Sequence, residues 1–142
     1  MSGFKIVYSD FQIRFRFYTE EAPLTVKAFI AELPFIREFM HARVSGLEIW
    51  TDRGLGLNII QENASVFTLP GEVVLGPILP KRARTSDCIG IYYGEGKGLD
   101  CCNIFAKVFD EDLGTLMQLC EDIWKKGVKQ LRFEEYDPAW PG

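Results

Sequence analysis

The amino-terminal segment alternates between apolar and polar residues, which is the pattern of strands with one buried face. An alternating run over residues 4–8 is followed by Ser9-Asp10, a turn-forming pair, and by a second alternating run over residues 11–17. Two such runs around a short turn predict a β-hairpin. One face of its second strand is expected to carry Phe11, Ile13, Phe15 and Phe17.

Two later segments have the apolar spacing of amphipathic helices. The first is expected to begin near Pro23, which suits a first helical turn, and to end at Leu33-Pro34 because proline disfavours helical geometry in the preceding residue. The second lies between acidic residues 110–112 and the basic pair before Gly127, as the helix dipole favours. Its predicted core stripe is Leu113, Leu116, Met117, Cys120, Ile123 and Trp124.

Between the helices, short apolar runs are broken by Gly, Pro, Asn and Asp, a spacing typical of a compact sheet rather than of alternating βα units. The predicted strands cover residues 40–44, 47–50, 57–60, 64–69, 73–75, 88–92, 102–108 and 128–133, with a glycine-rich hairpin loop at residues 94–98. The pattern therefore predicts one mainly β domain with two helices over residues 1–135. Residues 136–142 form a carboxy-terminal tail in this prediction.

Composition narrows the function classes. The chain has 142 residues, a formal net charge of −4, 47% hydrophobic residues and 25% charged residues. These fractions exclude a disordered chain, and mild acidity argues against nucleic-acid binding, which depends on clustered Lys and Arg. No apolar run approaches the roughly 18–20 residues of a membrane helix. With no secretory signal pattern at the amino terminus, we expect a cytoplasmic protein that contacts neither membrane nor nucleic acid, with reduced, mostly buried cysteines.

Several common catalytic and cofactor motifs are missing from the sequence. The single histidine excludes two-histidine metal motifs, and there is no Cys-x-x-Cys pair. The glycine-rich residues 94–98 lie between two predicted strands, whereas a phosphate-binding loop precedes a helix. We therefore expect neither a metal nor a cofactor.

The most informative local pattern is His41-Ala42-Arg43 in the predicted strand 40–44. Alternation would place His41 and Arg43 on one face, opposite the core. An imidazole beside a guanidinium pairs a general base with a clamp for a carboxylate, carbonyl or amide oxygen. The alternative is an ordinary surface, with Arg43 paired to Glu48 or Glu62.

Three further residues are candidates for polar lining of a ligand site. They are Asn63, Tyr93 and Asn103. The alternatives are structural, because asparagine commonly satisfies turns or anchors a neighbouring loop, and an aromatic ring in a strand commonly packs in the core. Residues 81–84 hold a short basic cluster, expected to be a solvated loop. Trp140, in the tail, is expected to pack on the body or on a neighbouring subunit.

Several segments together resemble cyclophilins. Residues 21–29 resemble the Ala-Pro-x-Thr-x-x-x-Phe segment that opens the first cyclophilin helix, residues 39–46 the strand with the catalytic arginine, and residues 105–108 a Phe-Gly-Lys-Val strand. More closely, residues 4–135 are similar to a small prokaryotic cyclophilin-like family of unassigned function. Its recurring features are His-Ala-Arg-x-Ser-Gly, Glu-Asn-Ala, Pro-Gly-Asp/Glu and Asn-x-Phe-Ala, which here begin at residues 41, 62, 70 and 103. The resemblance implies a closed β-barrel of about eight strands with a helix at each end.

The sequence departs from true cyclophilins where their activity resides. The Gln-Gly-Gly-Asp stretch after the arginine is replaced by residues 47–52, and the Ala-Asn-x-Gly wall of the proline pocket is missing. Only Arg43 matches the catalytic arginine, so peptidyl-prolyl isomerase activity is not expected. A shared fold assigns no activity by itself.

The sequence therefore favours a protein that binds or converts a small carboxylate- or amide-containing metabolite at His41 and Arg43. As an enzyme it would perform metal-free proton transfer or hydrolysis, with His41 as the base. The alternatives are a residual peptidyl-prolyl isomerase or peptide binder, and a non-catalytic assembly subunit. A homo-oligomer is expected because small barrels expose sheet faces.

Overall fold

An eight-stranded sheet and two helices organise the computed structural model, which describes residues 2–79 and 85–137. The strands are β1 (Gly3–Tyr8), β2 (Phe11–Phe17), β3 (Phe35–His41), β4 (Gly46–Thr51), β5 (Ala64–Phe67), β6 (Glu72–Leu75), β7 (Ile89–Val108) and β8 (Lys129–Tyr136). The helices are α1 (Pro23–Glu32) and α2 (Leu113–Lys126), the latter preceded by a short 3-10 turn, Asp110–Asp112. The predicted class, mainly β with two helices, is confirmed.

The predicted amino-terminal hairpin is present as β1 and β2, paired antiparallel from Gly3 opposite Arg16 to Tyr8 opposite Phe11. Its inner face is buried as alternation requires, with Ile13 and Phe15 fully inaccessible. The prediction was wrong for Phe11, which is 41% exposed. Phe11 is the first residue of β2, directly after the turn, where the strand extends beyond the core.

All strand pairs are antiparallel, in the order β2-β1-β8-β3-β4-β7-β5. β2 also pairs with β7, and β6 lies against β7. β6 pairs with two separate segments of β7, because Val73 lies opposite both Ala106 and Ile91. β7 therefore joins most of the sheet and contributes to both sides of the region described below.

The predicted glycine hairpin loop at residues 94–98 was wrong, because this stretch runs inside the continuous 20-residue strand β7. The glycines alternate with larger residues, and they serve close approach rather than a turn. A Cβ atom on Gly96 would lie 2.5 Å from the Ser45 carbonyl oxygen and 2.9 Å from the Tyr92 ring. Glycine here lets the chain before β4 pack directly on the strand.

The predicted strand boundaries between the helices are also corrected. β3 begins at Phe35, earlier than predicted, and ends at His41, so residues 42–44 are not strand. Residues 57–60 form no strand; Leu57 and Ile59 pack against the core from a loop. β8 continues to Tyr136, one residue past the predicted end of the domain. Trp140 and the basic residues 81–84 lie outside the described residues.

Both helices occupy the predicted segments. α1 begins at Pro23, and the backbone N–H of Thr25 in its first turn donates to Glu62 Oε1 at 2.5 Å. α2 ends at Lys126 and is followed by Gly127, whose φ of 97° suits glycine. The predicted α2 stripe is corrected at its edge, where Trp124 is 63% exposed. The buried face is Leu116, Leu119, Cys120 and Ile123, and Met117 is also exposed.

Aromatic rings fill the main core. The rings of Phe4 and Phe15 stack with centroids 4.7 Å apart, and Phe29, Phe105 and Phe133 surround them. Such packing gives a small domain a large buried apolar area. A second, smaller cluster on the other side of the sheet consists of Val74, Cys88, Tyr92, Cys102 and Ile104.

The structure also bears on the predictions for the cysteines and for membrane-spanning helices. Cys88, Cys102 and Cys120 are buried, Cys101 is exposed, and none of the four forms a disulfide bond in the part of the chain that the structure describes. The adjacent pair 101–102 faces opposite sides of β7, as alternation predicts. In the part of the chain that the structure describes, no helix is long and apolar enough to cross a membrane.

Candidate functional site

A cavity of about 360 Å³ lies beside the second core cluster. Its wall is formed by residues 40–45, at the end of β3 and in the connection to β4, and by the cavity-facing side of β4. The middle of β7 and parts of the chain around β5 and β6 complete it. Ligand sites of roughly 300–1,000 Å³ that are mostly apolar with a few polar groups are typical of proteins. Size and composition therefore match a small-molecule site.

Strand register determines which side chains share the cavity face. Glu48 of β4 lies opposite Tyr92 of β7, and Trp50 lies opposite Gly90. Directly opposed residues of an antiparallel pair point to the same face, and alternate residues repeat it. Glu48, Trp50 and Tyr92 accordingly project to one side, where all three line the cavity.

His41 contributes to the wall, but its imidazole is held on the other side of the sheet. It lies opposite Ile49, which points away from the cavity face. Nε2 is 2.7 Å from the Tyr93 hydroxyl, Nδ1 is 2.7 Å from the Ala42 carbonyl oxygen, and the exposed Trp124 ring lies 4.7 Å away. Because a carbonyl oxygen only accepts, Nδ1 donates to it, and in the neutral ring Nε2 accepts the Tyr93 O–H.

Arg43 lies in a bend after β3, so the predicted strand face shared with His41 is wrong. The chain reverses here because the Ala42 N–H donates to the Glu48 carbonyl oxygen at 2.9 Å and Gly46 adopts a φ of 97°. The reversal turns Ser45 inward and leaves Arg43 exposed at the edge of the cavity, whose wall it joins. Arg43 and His41 thus meet the same cavity from different directions.

Glu48 is the polar centre of the cavity wall. Glu48 is only 8% exposed, and its Oε1 accepts a hydrogen bond from Ser45 Oγ at 2.5 Å. The Tyr92 hydroxyl also donates to this carboxyl group. Oε2 lies over Gly90, where a Cβ atom would be 2.1 Å away. The carboxyl therefore fits only because glycine faces it across the strand pair.

Burial raises the pKa of Glu48 to about 7, against the opposing effect of the hydrogen bonds from Ser45 and Tyr92. Burial, with the nearby Glu48 charge, also raises the pKa of Tyr92 well above its usual range, so this hydroxyl keeps its proton. Within the described residues Glu48 forms no salt bridge. The carboxyl group is therefore present in both protonated and ionised forms near neutral pH.

The pairing of Arg43 with Glu48 or Glu62 that the sequence left open is not found in the described part of the chain. Glu48 instead accepts hydrogen bonds from hydroxyl groups, and Glu62 accepts a hydrogen bond from a backbone N–H in the first turn of α1. Sequence reasoning treated Glu48 only as such a partner and missed its place in the cavity. The signal was a glutamate inside an apolar strand, between Leu47 and Ile49.

Three further polar groups in the wall differ in their hydrogen bonding. A thiol hydrogen bond with Cys102, followed by burial, raises the pKa of Cys88. Asp100 accepts the Thr85 hydroxyl at 2.8 Å. Thr68 Oγ1 is buried without a hydrogen-bond partner among the described residues. Among the described residues of the wall, it is the one buried side-chain oxygen or nitrogen that forms no hydrogen bond.

The structure places the two candidate asparagines outside this cavity. Asn103 is fully buried: Nδ2 donates to Thr25 Oγ1 at 3.0 Å and to the Ile60 carbonyl at 2.9 Å, while Oδ1 accepts the Glu62 N–H at 3.2 Å. Asn63 donates to the Ile104 carbonyl at 2.8 Å. Both hold the loop before β5 against β7, the anchoring role left open above. Tyr93, the third candidate, contacts His41.

No group of three or more His, Cys, Asp or Glu side chains in residues 2–79 and 85–137 is arranged to hold a metal ion.

The fold, mainly β with two helices, is similar to that of a cyclophilin-type protein. The chain belongs to DUF3830, described as a family of proteins of unknown function, whose model matches residues 5–135. The expected kinship with a cyclophilin-like family of unassigned function is thereby confirmed. A comparison with curated proteins found no match.

Several solved structures have similar folds at low sequence identity. McbB in complex with tryptophan superposes with a TM-score of 0.77 at 15% identity over 98% of this chain. The chain spans about half of McbB, 46% of its length. The hypothetical protein AF2241 from Archaeoglobus fulgidus gives a TM-score of 0.64 at 15% identity, covering 95% of both chains. A cyclophilin-type peptidyl-prolyl cis-trans isomerase from Cryptosporidium parvum gives 0.51 at 17% identity, covering 82% of this chain and 83% of that one. These identities show a shared fold only.

Proposed function

We propose that the protein binds or converts a small carboxylate- or amide-containing metabolite in the cavity between β3, β4 and β7. The observation that carries this proposal is the buried Glu48 carboxyl group inside a largely apolar cavity whose edge is formed by Arg43. The apolar body of the ligand would lie against the wall. Arg43 would bind the carboxylate or amide oxygen, as a guanidinium does with two parallel donors.

Within this proposal, proton transfer belongs to Glu48 rather than to His41. A general base needs a free lone pair within reach of the reacting proton. In the neutral ring, both His41 nitrogens are engaged, and the imidazole lies away from the cavity face. Glu48 projects into the cavity and exchanges its proton near neutral pH. His41 would then position the β3–β4 connection that carries Arg43.

We also propose that the sheet closes into a barrel with a helix at each end, as the resemblance to cyclophilins implies. The pairing of β7 with both β4 and β2 supports it. No contact in the described chain specifically favours peptidyl-prolyl isomerisation, and the cyclophilin neighbour shares the fold alone. Homo-oligomer formation and a cytoplasmic location stay predictions.

Thermal-shift screening followed by calorimetry tests the proposal. The compounds are 3-phenylpropionate, phenylalaninamide, a proline peptide and tryptophan, the last because the McbB structure contains it. A ligand of the folded state raises its melting temperature. We expect a carboxylate or amide to stabilise the wild type and Arg16→Ala, an exposed arginine outside the cavity, but to stabilise Arg43→Ala much less. Equal stabilisation of both variants, or of none of the three proteins, would contradict the proposal.

A further inference from the structure

We propose that the ligand of this cavity carries a cationic amine and that this amine pairs with the Glu48 carboxylate. The inference rests on the proposed function and names the chemical class of its ligand. Together with a carboxylate at Arg43, it describes a small apolar molecule with an amine at the inner end.

Glu48 has no counter-charge in the part of the chain that the structure describes. The hydrogen-bond donors to Glu48 are the hydroxyl groups of Ser45 and Tyr92, and no cationic side chain pairs with it among the described residues. An ionised carboxylate in apolar surroundings is costly unless a cation compensates it. A ligand amine supplies that cation, and the apolar wall strengthens the attraction relative to water.

The Glu48 carboxyl group is accessible from the cavity. Glu48 is not sealed within the core, since it lines the same cavity as Trp50 and as the Thr68 hydroxyl, which has no hydrogen-bond partner in residues 2–79 and 85–137. An apolar body between these groups brings its amine to the carboxyl group without moving the sheet. The other titratable or charged groups around the cavity are His41, Arg43, Cys88, Tyr92, Asp100 and Cys102.

These neighbours leave Glu48 as the proton-exchanging partner. The Cys88 thiol and the Tyr92 hydroxyl stay protonated, because their pKa values are raised, and Asp100 Oδ2 accepts a hydrogen bond from the Thr85 hydroxyl. The imidazole is turned to the Tyr93 side, and Arg43 lies exposed at the edge. Pairing with an ammonium group favours the ionised carboxylate, so binding releases the Glu48 proton near neutral pH. Affinity for the amine therefore rises with pH, whereas affinity for a neutral analogue does not.

Calorimetric titration with two compounds of matched shape tests the inference. One is 2-phenylethylamine, which is cationic at pH 5.5 and at pH 8, and the other is the neutral 2-phenylethanol. The amine is expected to bind about 10-fold or more tightly at pH 8 than at pH 5.5, since a pH interval of this size spans the titration of Glu48. At pH 6, titrations in two buffers of different ionisation enthalpy are expected to show net release of a proton.

Three variants locate the effect. Glu48→Gln, a neutral residue of the same shape, is expected to lose the preference for the amine and the proton release while still binding the alcohol. Glu38→Gln, which removes an exposed carboxylate of β3, is expected to behave as the wild type. Loss of the preference in Asp100→Asn but not in Glu48→Gln would overturn the assignment to Glu48.

The failures of the two proposals are distinguishable. Binding of the alcohol with no preference for the amine, or without proton release, would overturn this inference and leave small-molecule binding intact. Binding of neither compound, in a protein whose fold is intact by circular dichroism, would overturn both.

Discussion

Glu48 is buried, has two hydroxyl donors and has no cationic partner among the described residues, so we expect its charge state to affect stability as well as the proposed ligand binding. A carboxyl group whose folded pKa of about 7 exceeds its unfolded value of 4.5 holds a proton in the folded state that the unfolded state releases. Its stabilising contribution is present below pH 4.5 and is lost as the pH rises to about 7. Above that pH the loss is complete.

Glu48→Gln is expected to remove this pH dependence. Between pH 4.5 and pH 8 the wild type should lose about 3 kcal/mol of unfolding free energy relative to Glu48→Gln, from ~1.4 kcal/mol for each pKa unit. Urea unfolding of both proteins at the two pH values measures the difference, in which all other titrating groups cancel. An unchanged difference between the two proteins would show that Glu48 titrates normally.

The space over Glu48 depends on a second residue, Gly90. A Cβ atom there would lie 2.1 Å from Oε2 and 3.1 Å from Val74. Gly90→Ala is therefore expected to displace the carboxyl group, to lower stability by about 1–3 kcal/mol and to weaken ligand binding. Gly114→Ala is the matched control, because nothing lies within 4 Å of its added Cβ and alanine favours a helix by about 1 kcal/mol. Equal effects of the two substitutions on binding would contradict this account of the cavity.

At the scale of elements, local periodicity predicts what local interactions determine. The hairpin β1–β2 and both helices follow from alternation, from Pro23 and from Gly127, whose effects act within a few residues. The prediction of a loop inside β7 was wrong because glycine is common both in turns and where two chain segments pack closely. Only the position of the neighbouring chain at Ser45 distinguishes the two cases. The predicted end of β3 was wrong for a similar reason, because the chain reversal there depends on a hydrogen bond from the Ala42 N–H to the Glu48 carbonyl oxygen in β4.

Asn103 tests the distinction between an anchoring residue and a ligand-binding residue. Asn103→Ala leaves the Glu62 N–H and the Ile60 carbonyl without their partner and is expected to lower stability by roughly 2–3 kcal/mol. Affinity for cavity ligands should stay within about twofold, because the side chain lies outside the wall. Asn58→Ala, on the exposed side of the same loop, is the control. Calorimetry at a temperature where both variants are folded measures binding, and a large loss of affinity in Asn103→Ala alone would restore its predicted ligand-binding role.

At the scale of the whole molecule, the cavity gathers groups that lie far apart in the sequence. Arg43 comes from the β3–β4 connection, Glu48 from β4, and Gly90 and Tyr92 from β7. The sequence indicated Arg43 and His41 because they form one short motif. It did not indicate the role of Glu48, since that role arises from register with Tyr92 and Gly90 across some 40 residues of chain. Register of this kind depends on long-range pairing, which no local pattern encodes.

The central claim is that Glu48 is a buried, proton-exchanging carboxyl group within a ligand cavity. The most direct measurement is a carbon-13 NMR titration of the Glu48 side-chain carboxyl, in the free protein and with saturating 2-phenylethylamine, assigned with Glu48→Gln. We predict a midpoint near pH 7 in the free protein and a clearly lower midpoint in the complex. A midpoint near 4.5 in the free protein, unchanged by the amine, would contradict the account.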